Sequence, residues 1–420
     1  MTTFAILGYG NRGSTYAKLI QERGGKVTAV CEPNEQKLNN AITLHALTEK
    51  QAFQDETAFF NAGKLADVLV IATQDAQHVT HAVAGLYFGY DLLLEKPIAC
   101  SAQDCEKIEK LASDLKRKVF VCHVLRYAPL FREIKAQLDG GAFGKIVSIN
   151  LMENVAYWHQ AHSYVRGNSR RSDLGTPMII AKCCHDLDLI SWFINEPCQA
   201  VSSFGSLRYF TKENAPEDSA EYCLDCKHRQ TCVYSAQRHY IDELIKNGQP
   251  GWMINAVVPN ATVQSLTEAL KNSRWGKCVF KSDNNVVDNQ VVNMRFASGA
   301  TAHLTMTAFS KFCYRDIHVY CEKGEIFGNM RDNVLHCKLF DDALEQAQWD
   351  IDVAQLIKEN QWSHGGGDYN MIGEILDFYQ GKPTQTLTPI STSMQSHYIG
   401  FAAEQSRLSG QTVTLKGESV

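Results

Sequence analysis

An α/β chain with a doubly wound parallel sheet followed by an α+β domain with a mostly antiparallel sheet is the fold class that three observations predict. Through the first 120 or so residues, short apolar runs alternate with helical patterns, the signature of βαβ units. A glycine-rich motif follows the first apolar run directly and opens the first helical pattern. After about residue 122, the runs lengthen and alternate apolar with polar residues, as half-buried strands do.

The strand runs of the first part are residues 4–7, 26–31, 68–73, 91–94 and 118–121. Residues 14–22, 35–44, 77–88 and 101–115 carry helical periodicity between them, with Ser101 as an N-cap and Asp104 completing a weak capping box. The second part offers strands at 145–152, 291–296, 300–308 and 316–321, the middle two joined by a Ser298-Gly299 turn. Helices are expected at 128–138, 177–194 and 368–379. The division is therefore into a first domain at 1–122 and a second at 123–420. An irregular, cysteine-containing insertion at about 211–285 is too long to be an idle loop.

Composition narrows the function. The 420 residues are 45% hydrophobic and 21% charged, which excludes disordered and collagen-like chains. The formal net charge of −5 lacks the basic footprint of a nucleic-acid binder. No run of 18 apolar residues suggests a membrane span. Met1-Thr2-Thr3 leads into an apolar run without a basic segment, so no secretion signal is expected. The 14 cysteines then read as mostly free, buried thiols in a reducing cytoplasm.

Gly8-Tyr9-Gly10-Asn11-Arg12-Gly13 is a G-x-G-x-x-G motif of Rossmann type. Gly8 permits the tight turn, Gly10 lets backbone approach a pyrophosphate, and Gly13 lets helix and strand pack closely. Glu32, 19 residues after Gly13, ends the second strand, where its carboxylate accepts from ribose hydroxyls and repels a 2′-phosphate. NAD is favoured over NADP, although Arg12 is a cation that a 2′-phosphate could meet.

Two further segments carry a resemblance. Glu95-Lys96-Pro97 follows an apolar strand, and Ala72-Thr73-Gln74-Asp75-Ala76-Gln77-His78 lies upstream. Together with the glycine motif, they resemble the Gfo/Idh/MocA family of NAD(P)-dependent oxidoreductases, with Gln74 where that family has proline. The similarity extends more loosely through Arg126-Tyr127-x-Pro129, His185-x-x-Asp188 and His364-Gly365-Gly366-Gly367-Asp368. It implies that the second domain's sheet is large and open and pairs copies into a homodimer or homotetramer. It also implies hydride transfer between a nicotinamide and a secondary alcohol of a sugar or polyol. Asn11, Arg12, Thr73, His78, Glu95 and Lys96 would then join Gly8, Gly10, Gly13 and Glu32 at the cofactor.

Removing a hydroxyl proton needs a base within hydrogen-bond reach, and histidine titrates near neutrality. Lys182, His185, Asp188 and Trp192 follow 3/4 spacing and would share one helix side, an odd composition for a packing face. His185 is the candidate acid/base, or a helix histidine paired with Asp188. Many family members have aspartate where this chain has Ala181, so Lys182 is a candidate to replace the lost contact. Lys96, beside a cationic nicotinamide, should have a lowered pKa and assist.

Tyr157, His159, His162 and Arg166 combine stacking surface with donors, which suits a polyhydroxylated ligand. Arg126, Asp188 and His364 complete the expected substrate contacts. Cys223-x-x-Cys226-x5-Cys232 has zinc-like spacing, the fourth ligand being His228, His239, Cys278 or Cys184.

The expected activity is NAD-dependent oxidation or reduction at a secondary alcohol of a sugar, cyclitol or glycoside. One alternative is a redox-neutral glycosidase or epimerase reaction through a transient keto-sugar. Another is a non-catalytic nucleotide-binding scaffold or sensor. Expected partners are small carbohydrates or polyols, with neither nucleic acid nor membrane.

Overall fold

Six short strands carry the apolar runs of the N-terminal part: β1 (Thr3–Leu7), β2 (Lys26–Cys31), β3 (Ala52–Phe53), β4 (Val68–Ile71), β5 (Asp91–Leu94) and β6 (Val119–Val121). The computed structural model describes residues 1–357 and 363–415. All neighbouring pairs in this sheet are parallel, in the order β3-β2-β1-β4-β5-β6. The order reverses between β1 and β4, which makes the crevice at their carboxyl ends the place for a ligand.

Helices form where the sequence supplies caps. Ser101 accepts from the Asp104 backbone N–H at 3.1 Å and starts Ala102–Asp114. Asn34 does the same for Glu35–His45 through Lys37 at 3.0 Å. β3, only two residues long, has too little pattern to be seen in the sequence.

The second sheet contains β7 (Ile146–Asn154), β8 (Cys198–Ser206), β9 (Asn289–Phe296), β10 (Thr301–Thr307), β11 (Tyr314–Cys321), β12 (Gly324–Asn329), β13 (Val334–Leu339), β14 (Gln348–Asp352) and β15 (Val413–Thr414). Their order is β14-β13-β12-β11-β7-β10-β9-β8-β15, and only the β7–β10 pair is parallel. Ser298-Gly299 forms the expected hairpin turn, with Gly299 at φ +92°. One face of this sheet buries Ile149, Leu151, Leu304, Ile317 and Val319 against Cys184–Ile194 and neighbouring helices.

Two expectations are corrected. The helix expected over 177–194 is broken into Met178–Ala181 and Cys184–Ile194. Lys182 lies in the break with its ammonium 3.2 Å from Glu153 of β7, so it does not share a helix stripe with Asp188 and Trp192. Tertiary ion pairing overrides the local periodicity there. The insertion is also more ordered than its composition suggested. Its helices Trp252–Val257 and Val263–Asn272 contribute to an apolar cluster of Cys223, Ala236, Tyr240, Ile241, Leu244, Ile254, Ala261, Leu266 and Leu270.

The glycine turn has the close packing that the motif demands. A Cβ on Gly13 would lie 1.9 Å from the Gly8 carbonyl oxygen. Gly13→Ala should therefore cost about 1–3 kcal/mol or more of stability, read by urea unfolding. Unchanged stability would show that β1 and its helix tolerate separation.

Candidate active site

The loops at the carboxyl ends of β1, β4 and β5 meet the second domain around a cavity of about 410 Å³. Gly10, Asn11, Arg12, Thr73, Glu95 and Lys96 line its first side. His159, His162, Lys182, His185, Arg315 and His364 line the other. Residues separated by more than 300 positions thus border one space.

The cofactor-side residues are held by one another. Gly8 turns at φ +90°, and no heavy atom lies within 4 Å of where a Cβ on Gly10 would stand, leaving its flank open. Buried Glu32 accepts from the N–H of Tyr9 at 2.8 Å and of Asn34 at 3.0 Å. A carboxylate has about four acceptor sites, so it retains capacity for ribose hydroxyls. These features fit a dinucleotide. The carboxylate also ties the glycine turn to the end of β2.

Arg12 is committed elsewhere. Its Nε donates to Glu95 at 2.7 Å, and its guanidinium forks onto Asp368 at 2.6 and 3.1 Å. Burial raises the Glu95 and Asp368 pKa values, but Arg12, joined by Lys96 and Tyr16 at Glu95 and by His364 at Asp368, reverses this and holds both carboxylates below their ordinary range. His78 is buried and stands behind the lining. Its ring nitrogens approach the Pro97 carbonyl at 2.7 Å and the Thr73 carbonyl at 3.3 Å, bracing both loops. The Thr73 hydroxyl pairs with the His81 ring at 2.9 Å.

Lys96 extends Nζ across the cavity and donates to the Ala181 carbonyl at 2.7 Å. His185 sits in the first turn of Cys184–Ile194, its Nδ1 buried without a hydrogen-bond partner. Burial first, and then the neighbouring Lys96 and His364, push its pKa well below the ordinary histidine value. The imidazole is therefore neutral near pH 7. Burial also opposes the Lys182 ammonium, but Glu153, together with Cys313 and Tyr164, raises the pKa above the usual lysine range. Arg315 completes a buried network, contacting Glu153 at 2.6 Å and Asp186 at 2.7 Å.

His159, His162 and His364 reach the cavity. His162 stacks on Trp275 at 4.7 Å between ring centroids, and burial lowers its pKa to about 3. His364 pairs with Asp368 at 2.9 Å. Tyr157, Arg126, Asp188 and Arg166 are not among the lining residues. Tyr157 contacts Tyr234 and His239 instead. Arg126 and Asp188 spend their charges on each other through bonds of 2.6 and 2.7 Å. Fully buried Arg166 donates to the Lys277 and Tyr234 carbonyls at 2.8 Å each, pinning the insertion. Arg315, Trp252, Arg274 and Trp275 line the cavity without having been singled out in the sequence.

The expected zinc centre is corrected. Among the described residues, no group of three or more His, Cys, Asp or Glu side chains is arranged to hold a metal. Cys223, Cys226, Cys232 and Cys278 do border one cavity of about 20 Å³, but as free thiols. Burial raises the Cys232 and Cys278 pKa values and favours protonated thiols, while Cys223 joins the insertion's apolar core. No helix in the described chain is long and apolar enough to cross a membrane.

Comparisons with known proteins agree with this geometry. Residues 2–123 match the oxidoreductase family's NAD-binding Rossmann fold, and residues 135–415 match its C-terminal alpha/beta domain. YteT of Bacillus subtilis (strain 168) is 23% identical over 332 residues, or 74% of this chain and 72% of that protein. An inositol 2-dehydrogenase/D-chiro-inositol 3-dehydrogenase of Halalkalibacterium halodurans is 27% identical over 204 residues, or 47% of this chain. The match spans only 54% of that enzyme's length. The WlbA dehydrogenase of Bordetella pertussis, solved with NADH and UDP-GlcNAcA, shares the fold at a TM-score of 0.70 and 15% identity. That likeness covers 99% of this chain and 98% of WlbA.

Proposed function

The chain belongs to the Gfo/Idh/MocA family of NAD-binding oxidoreductases, and from that premise we propose that it moves a hydride between NAD and a secondary alcohol of a sugar, cyclitol or glycoside. The observation that carries this reading is that Lys96 and His185 border the same cavity as the glycine turn. NAD, when bound, supplies the hydride acceptor.

The chain's own residues do the rest. Gly8, Gly10 and Gly13 let the turn approach the diphosphate, Asn11 and Thr73 flank it, and Glu32 takes the adenosine ribose. Glu95 and His78 position this edge, with Glu95 accepting the Lys96 backbone N–H at 2.8 Å. Neutral His185 receives the hydroxyl proton during oxidation and returns it during reduction. Lys96 and Lys182 present N–H donors to substrate oxygen, while His159, His162 and His364 border the rest of the space. Residues 1–122 are then the cofactor unit and 123–420 the substrate unit. Asn150, His303, His318 and Phe327 on the second sheet's open face offer a surface for pairing with another copy.

Glu32→Gln tests the cofactor assignment. It should weaken NAD binding about 10–100-fold by titration calorimetry, the worth of charged hydrogen bonds of about 1.5–3 kcal/mol. It should also narrow the gap between NAD and NADP. Unchanged affinity for both would remove Glu32 from the site.

A further inference from the structure

We propose that the insertion closes over the dinucleotide and retains it through turnover, with Trp252 and Arg274 as additional cofactor contacts. This rests on the NAD reading above. The first observation is a direct tie: Asn11 Nδ2, within the glycine turn, donates to the Trp252 carbonyl at 3.3 Å. Trp252, Ala256, Arg274 and Trp275 border the same cavity as Gly10, Asn11 and Lys96.

The side chains suit a dinucleotide. Trp252 is 45% exposed, and its ring is edge-on or strongly tilted to His162 and His159, at 88° and 76°. Stacking surface is thus available for a ribose or nicotinamide ring. Arg274 forms no ion pair among the described residues; it donates to the Asn168 side-chain oxygen and lies over the Trp275 ring. A cation at this wall complements a diphosphate, a role that Arg12 cannot add while committed to Glu95 and Asp368.

The insertion is also anchored. It has its own apolar core. Arg166 holds two of its carbonyls, and His162 pairs with Tyr240 at 2.9 Å while stacking on Trp275. Dinucleotide release would have to part this wall from the glycine turn. Slow release favours electrons returning through the substrate site: a hydride and proton taken from one substrate are given back to its keto form or to a second carbonyl compound.

The test loads the full-length protein with NADH, chases with excess NAD⁺ and follows loss of bound NADH fluorescence. Nucleotide content after purification is measured in parallel. Wild type should co-purify with NAD(H) and exchange slowly. Trp252→Ala and Arg274→Ala should each exchange at least tenfold faster, with Trp252→Phe between wild type and Trp252→Ala. Equal exchange rates in wild type and the two alanine variants, or nucleotide-free wild type with rapid exchange, would overturn the proposal and leave the NAD reading standing. Failure of wild type to bind NADH at all would overturn both.

Discussion

His185→Ala lowers kcat by about 10²–10⁴-fold, the usual contribution of a positioned acid/base, while NAD affinity stays within about twofold. The imidazole borders the cavity with Lys96 but stands away from the glycine turn's hydrogen bonds. Its pKa lies well below the ordinary value because burial and Lys96 disfavour the charged ring. The neutral base is present above that lowered pKa and disappears as pH falls through it. The acid limb of kcat for oxidation should therefore lie below about pH 6.5, the unperturbed histidine value. An acid limb above that pH, or a variant with wild-type kcat, would move the base elsewhere.

Arg315→Met is expected to be the most damaging change to the substrate side. The guanidinium is buried between Asp186 at 2.7 Å and Glu153 at 2.6 Å, and Lys182 would remain to face both carboxylates. Stripping one partner from a buried ion network costs about 3–5 kcal/mol. Urea unfolding should show a loss of that size. Arg315→Lys should recover only part of it, because a point charge cannot reproduce the two-pronged contact. A loss below about 1 kcal/mol would mean that the network is solvated and does not shape the wall.

How much of this was legible in the sequence follows from the range of the forces involved. The glycine turn, Glu32 and Lys96 could be read because turn geometry and strand ends are local. A parallel sheet followed from the alternating runs, but only five of its six strands were read, because β3 left no pattern. Family resemblance carried His185 and His364 to the cavity's border. Arg126, Asp188 and Arg166 stand outside the cavity's lining, each against a buried partner, and a polar side chain in sequence looks the same whether it meets substrate or such a partner.

Arg315 did leave a signal. It occupies an inward slot of an alternating strand whose other inward residues are Ile317, Val319 and Cys321. A charge there demands a partner. Trp252 and Arg274 left none, since their place beside Asn11 depends on how the insertion folds back.

The most direct test mixes NAD-loaded enzyme rapidly with a panel of sugars, cyclitols and glycosides, following NADH absorbance and product mass together. At least one member should produce NADH, either accumulating with a keto product or appearing transiently before a product of unchanged oxidation level. Lys96→Ala should lower that rate by about 10²-fold or more, as expected for a group that acts in the reacting complex. The account would be contradicted if the panel gave turnover without NADH, or if Lys96→Ala formed NADH at the wild-type rate.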